Sequence, residues 1–165
     1  MLTMLEKIRK QVAGRDPAID AWLAVRRNLL IEYMKVANLM PANKITSARR
    51  KALAALCDHL VDYISAGHFE IYEILIDAYE KAQGRHLTLS NRIINRILDT
   101  TDEILDFNER YISIEDDELP ELTTDLSHLG MILEERFKLE DKLVLVLDIF
   151  DTNHVEDNAK RVNTA

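Results

Sequence analysis

The stretch Leu56–Glu73, LCDHLVDYISAGHFEIYE, runs without interruption at helical spacing and carries two different faces. Leu53, Leu60, Ile64, Ile71, Leu75 and Ala78 form one apolar stripe, as a core-facing helix requires. On the opposite side, Asp62, Ser65, Phe69, Glu73 and Ile76 follow the spacing i, i+3, i+7, i+11, i+14. A helix that only packs into a core has no reason to set Phe69 and Ile76 among polar groups on its outer face. The second stripe therefore reads as a contact surface for another macromolecule, with Asp62, Ser65, Phe69 and Glu73 at its centre and Tyr72 and Ile76 beside them.

Working outward, helical spacing dominates the chain. Four Gly and three Pro in 165 residues favour long helices with few turns. Leu2, Leu5, Ile8 and Val12 mark a short first helix ending near Gly14. Asp16 followed by Pro17 is an N-cap with the favoured first helical residue. Trp22, Val25, Leu29, Tyr33, Val36 and Met40 then hold one face as far as Pro41. Thr46 or Ser47 caps a helix running from about residue 48 to 82 and closing at Gly84, with a bend expected at Ser65–Gly67. Ile94, Ile97, Leu98, Thr101, Ile104, Leu105, Asn108 and Tyr111 form the next stripe. The acidic run Glu115–Glu118 sits where a helix N-terminus favours it, ahead of a last helix facing inward with Leu122, Leu126, Leu129, Leu133, Phe137, Leu143, Val144 and Leu147. The fold expected is all-α: an antiparallel up-down four-helix bundle in residues 1–152, with a short extra N-terminal helix. A polar, flexible tail follows in 153–165.

Bulk properties narrow the function. A net charge of −8 speaks against direct nucleic-acid binding and suits a basic partner. The single Cys57 allows no internal disulfide and reads as a small buried hydrophobe. No apolar run is long enough to span a membrane, and the N-terminal MLTMLEKIRKQVAGRD lacks the continuous apolar segment of a signal peptide, which points to a cytoplasmic chain.

Chemistry-bearing residues are few. Arg136 and Glu140 stand four residues apart within the apolar arc of the last helix, and Arg26 lies between Trp22, Leu29 and Tyr33. Buried unpaired, each charge would cost several kcal/mol, so they are expected to pair inside the bundle, joined by His68 and Asp141. A polar layer that fixes helix register is one reading of this cluster. A small-molecule or metal-binding bundle that uses it is the other. Metal ligation is disfavoured because none of the five histidines completes a Glu-x-x-His or His-x-x-x-His pair. No phosphate-cradling loop or nucleophile elbow occurs, so no catalytic residue, cofactor or metal is assigned.

Three blocks resemble the Rsd/AlgQ family, regulators of the primary sigma factor in gamma-proteobacteria: LVDYISAGHFEIYE, WLAVRRNLL at Trp22–Leu30 and LEERFKLEDKLVLVLD at Leu133–Asp148. Together they cover roughly a quarter of the chain. The linker 41–48, the segment Gln83–Asn95, the run Glu115–Glu118 and the tail after Asp151 lie outside these blocks and read as departures from the family. The resemblance implies a cytoplasmic helical bundle, not an enzyme, that binds the C-terminal domain of the primary sigma factor. That domain is a basic helix-turn-helix unit that reads promoter DNA and contacts core RNA polymerase, and binding would mask both surfaces.

Overall fold

The computed structural model describes residues 17–38, 46–74, 76, 87–113 and 121–162. Helices α1 (Pro17–Asn38), α2 (Ser47–Ala66), α3 (Leu87–Tyr111) and α4 (Leu122–Val162) account for nearly all of them, and no strand occurs among the described residues. The expected first helix, the caps at Asp16 and Gly84, Met40 and Pro41, Leu75 and Ala78, and the run Glu115–Glu118 lie outside the described residues.

Local chemistry sets the helix bounds. Pro17 opens α1, where its missing N–H costs nothing. Thr46 is the cap of α2: its backbone is extended (φ −91°, ψ 157°) and its Oγ1 accepts a hydrogen bond from the Arg49 N–H at 3.2 Å. The backbone of α4 stays helical to Val162, through the polar stretch expected to be a flexible tail. No Gly or Pro interrupts Asp151–Val162, so nothing in the covalent chain stops the helix there.

Cross-helix contacts fix the packing. Arg96 meets Glu135, Glu103 meets His128 and Tyr111 meets Asp125, so α3 and α4 run antiparallel. Arg26 meets Asp141 while Tyr33 donates to the Leu126 carbonyl at 3.1 Å, so α1 also runs antiparallel to α4. At Gly130 any Cβ would run into Tyr33 Oη, and the missing side chain is what lets α1 approach α4 this closely. Helix α2 packs on α1 and reaches α3, where the Cys57 thiol points at the Asn108 carbonyl 4.0 Å away. Burial first, with Asp58 adding to it, pushes the Cys57 thiol up to about 12 and keeps it inert.

The core gathers the apolar faces of all four helices, including Trp22, Leu29, Leu56, Leu60, Ile97, Ile104, Leu129 and Leu133. One position departs from the expected stripe: Leu105 is exposed, and Phe107 is buried in the core.

The bend expected at Ser65–Gly67 is a π-helical turn over Gly67–Ile71, closed by the Tyr72 N–H donating to the Gly67 carbonyl. Gly67 has ordinary right-handed dihedrals (φ −58°, ψ −50°), so it is needed for space. A Cβ there would sit 3.2 Å from Tyr72 Oη and 3.4 Å from Trp22 Nε1.

Candidate functional site

The π turn decides where every neighbouring side chain points. Nine residues separate Tyr63 from Tyr72, and at roughly 100° per residue a regular helix would set them half a turn apart. A π turn spends one more residue per turn, which brings the phase back by about one residue's rotation. Both phenols consequently face inward, Tyr63 fully buried and Tyr72 at 3% exposure.

They meet Glu140, which is fully buried and accepts four hydrogen bonds, as many as a carboxylate has lone-pair sites. Oε2 takes one from Arg26 at 3.0 Å and a short one from the Tyr63 hydroxyl. Oε1 takes one from Arg136 Nε and one from the Tyr72 hydroxyl, both at 2.9 Å. Arg26 also donates to Tyr63 Oη at 2.9 Å and to Asp141 Oδ1 at 2.5 Å, and its guanidinium lies between the Trp22 ring at 5.0 Å and the Phe137 ring at 4.8 Å. Arg136 spends its remaining donors on Tyr72 Oη at 2.8 Å, on Thr100 and Thr101 at 3.0 Å, and on the Ile97 carbonyl at 3.2 Å. Two arginines and two carboxylates leave the cluster neutral, which is the condition for keeping four charges inside. Trp22 stacks on Tyr63 at 5.5 Å, but its Nε1 is buried without a hydrogen-bond partner.

The electrostatics follow this geometry. Burial, with Glu140 adding to it, holds the Tyr63 and Tyr72 phenols well above their usual range against the pull of the arginines, so both stay protonated donors. Burial disfavours charged Arg26, but Tyr63, Glu140 and Asp141 outweigh it and push its pKa up. Arg136 behaves alike, through Glu140 and the two tyrosines. Burial raises Asp141, opposed by Arg26.

The structure thus brings Arg26, Arg136, Glu140 and Asp141 together and leaves out His68. That residue is exposed, its ring edge-on to Phe69 at 5.0 Å and to Tyr72 at 6.4 Å. Regular helical phase points His68 inward, and the wider π turn carries it outside. Tyr63, Tyr72 and Thr100 are the members that periodicity does not reveal, and Thr101, already on the expected stripe, joins them. Hydroxyl groups on core-facing positions are the available signal, since a buried hydroxyl calls for a partner.

The outer stripe divides. Asp62 and Glu73 are exposed, Ser65 is half-buried, and Phe69 is 71% exposed, the most open of the large hydrophobic residues described. Val61, 38% exposed beside Asp62, extends the same surface and was not expected there. Tyr72 belongs to the interior, and Ile76 is half-buried against the core. Both corrections have the same cause, the change of phase at Gly67–Ile71. Among the described residues no cluster of His, Cys, Asp and Glu is arranged to hold a metal ion, and no helix is long and apolar enough to cross a membrane.

A helical bundle that saturates its internal charges and leaves an aromatic among carboxylates on one outer face has the make-up of a regulatory, partner-binding protein. The chain belongs to the Rsd/AlgQ family, described as regulator of RNA polymerase sigma(70) subunit, whose pattern it matches over residues 1–148. It is 38% identical over 147 residues to a Yersinia enterocolitica protein named regulator of sigma D, covering 87% of this chain and 88% of that one. A protein of the same name from Yersinia pseudotuberculosis is 39% identical over 147 residues, covering 87% of each chain. Another, from Salmonella arizonae, is 36% identical over 165 residues, covering 98% of this chain and 99% of the relative.

Proposed function

We propose that the protein is an anti-sigma factor that grips the C-terminal, promoter-reading domain of the primary sigma factor and holds it away from core RNA polymerase and promoter DNA. The observation that carries this reading is Phe69, 71% exposed on the turn whose inner side is pinned by Tyr72 to Glu140 and Arg136. An aromatic on a rigid backbone loses little entropy on binding, and such residues anchor interfaces. Asp62 and Glu73 flank it and offer acceptors to Lys or Arg of a basic domain. The opposing reading, a small molecule or metal held by the interior cluster, finds little support. Glu140 has no lone pair left to offer, and Arg136 is engaged through all three of its nitrogens.

Calorimetric titration of the isolated C-terminal sigma domain into the full chain tests the proposal. A saturable one-to-one complex that excludes core polymerase and is lost in Phe69→Ala is expected. Binding to another sigma region, or a complex that still engages core polymerase, would overturn it.

A further inference from the structure

We infer that the outer face of α3 is a second docking surface, built to take a basic amphipathic helix of another protein. Three series with heptad spacing interleave there. Leu98, Leu105 and Ile112 repeat every seven residues, Asp102 and Glu109 share that interval, and so do Asp99 and Asp106. Leu105 is 43% and Ile112 46% exposed, while Leu98 is half-buried. The Ile112 N–H donates to the Asn108 carbonyl, so Ile112 continues the helical register of α3. All four acidic residues are exposed.

Position on the bundle gives the face its two edges. Cys57 of α2 approaches Asn108, which places Leu98, Leu105 and Ile112 along the side of α3 nearer α2. On the side nearer α4 opens a cleft of about 210 Å³, lined by Phe107, Leu129 and Ile132 and by the carboxylate of Asp106. Three cations bordering this face are engaged. Arg96 pairs with Glu135 and Asp99, Arg110 with Asp125 and Glu121, and His128 with Glu103. Asp102, Asp106 and Glu109 have no ion pair among the described residues, and Arg110 and His128, which share the cleft with Asp106, are spent on Asp125, Glu121 and Glu103.

The occupant follows from this chemistry. An aliphatic repeat of seven on a helix is matched by a partner helix lying alongside it, because only that geometry presents side chains at the same interval. Carboxylates along the solvent-side flank of the aliphatic row call for Lys or Arg beside the partner's apolar row. A lysine or arginine with its stem in the cleft would rest on Phe107, Leu129 and Ile132 and carry its charge to Asp106. Nucleic acid and anionic lipid surfaces are excluded by the sign of the charge. The surface is distinct from the α2 stripe and does not rest on the function proposed above.

The test uses the full chain and a fluorescent synthetic peptide of three heptads, with leucine at every a position, alanine at d and lysine at e and g. Saturable binding that weakens with salt is expected, and the same peptide with glutamate for lysine should not bind. The double variant Leu105→Asn, Ile112→Asn should weaken binding by about tenfold or more. The triple variant Asp102→Asn, Asp106→Asn, Glu109→Gln should weaken it and flatten its salt dependence. Phe69→Ala should bind like the parent, and circular dichroism should find every variant folded, since the altered side chains are exposed. Absence of binding, equal binding of a scrambled peptide of the same composition, or α3 variants that bind like the parent would each overturn the inference.

Discussion

Phe69 and Tyr72 stand three residues apart on one turn of helix and live in opposite solvents: 71% exposed against 3%. The inner side of that turn is closed, with Tyr72 donating to Glu140, accepting from Arg136 and packed edge-on to Trp22. On the outer side, large apolar surface stands among carboxylates. The contrast separates two uses of polar chemistry. Inside, charges are neutralised by one another and confer a fixed geometry. Outside, charges keep their capacity for a partner. A rigid interior makes an exposed aromatic useful, because a side chain held by a stiff backbone pays less entropy on binding.

The sharpest way to break this comparison is to strand the interior charges. Glu140→Ala leaves Arg26 and Arg136 without their shared acceptor and should cost roughly 3–5 kcal/mol in chemical denaturation. A loss below about 1 kcal/mol would mean that the cluster is solvated and the two sides of the turn are not different in kind. Phe69→Ala should reverse the pattern, leaving the denaturation midpoint near that of the parent while sigma binding falls by about 2 kcal/mol or more. A midpoint that drops by several degrees with normal binding would reassign Phe69 to the core.

Tyr72→Phe sharpens the comparison from within. It keeps the ring and removes one donor to Glu140 and one acceptor from Arg136, so a loss of about 1–3 kcal/mol is expected by urea titration. The same variant should bind sigma almost normally, because Tyr72 is not on the outer surface. The smallest effect belongs to Asp125, at the far end of α4. Burial alone would raise its carboxyl, but hydrogen bonds from Tyr111 and Arg110 outweigh that and hold it below the usual value. A lowered folded-state pKa gives stability that is present above the unfolded value of 3.8 and lost as pH falls through the lower folded one. Asp125→Asn should therefore cost under about 1 kcal/mol at neutral pH, the pair being largely exposed, and flatten the acid limb of a stability–pH profile.

The legible part of the site lies on regular helices. Arg26, Arg136, Glu140 and Asp141 sit on α1 and α4, where a fixed step per residue places them correctly among apolar neighbours. Asp62 and Phe69 were legible as exposed members of a polar-aromatic stripe. Around the π turn the same rule misplaces His68 and Tyr72 and leaves Ile76 half-buried, while Phe69, Ile71 and Glu73 keep the sides that phase assigns. Leu105 fails for another reason: a helix packed between two neighbours has edges, and periodicity alone does not say which flank a neighbour covers.

The sequence by itself determined that this chain is a helical bundle, roughly where four of its helices begin, that Thr46 or Ser47 caps α2 and that its buried charges had to find one another. These follow from local spacing and from the cost of desolvating charge, neither of which needs distant contacts. Only the tertiary structure decided who pairs with whom. Tyr63, Tyr72, Thr100 and Thr101 complete the cluster because four helices bring them to Glu140 and Arg136. The π turn at Gly67–Ile71 belongs to the same class. It costs regular hydrogen bonding, and its compensation comes from residues on α1 and α4 that meet it only after folding.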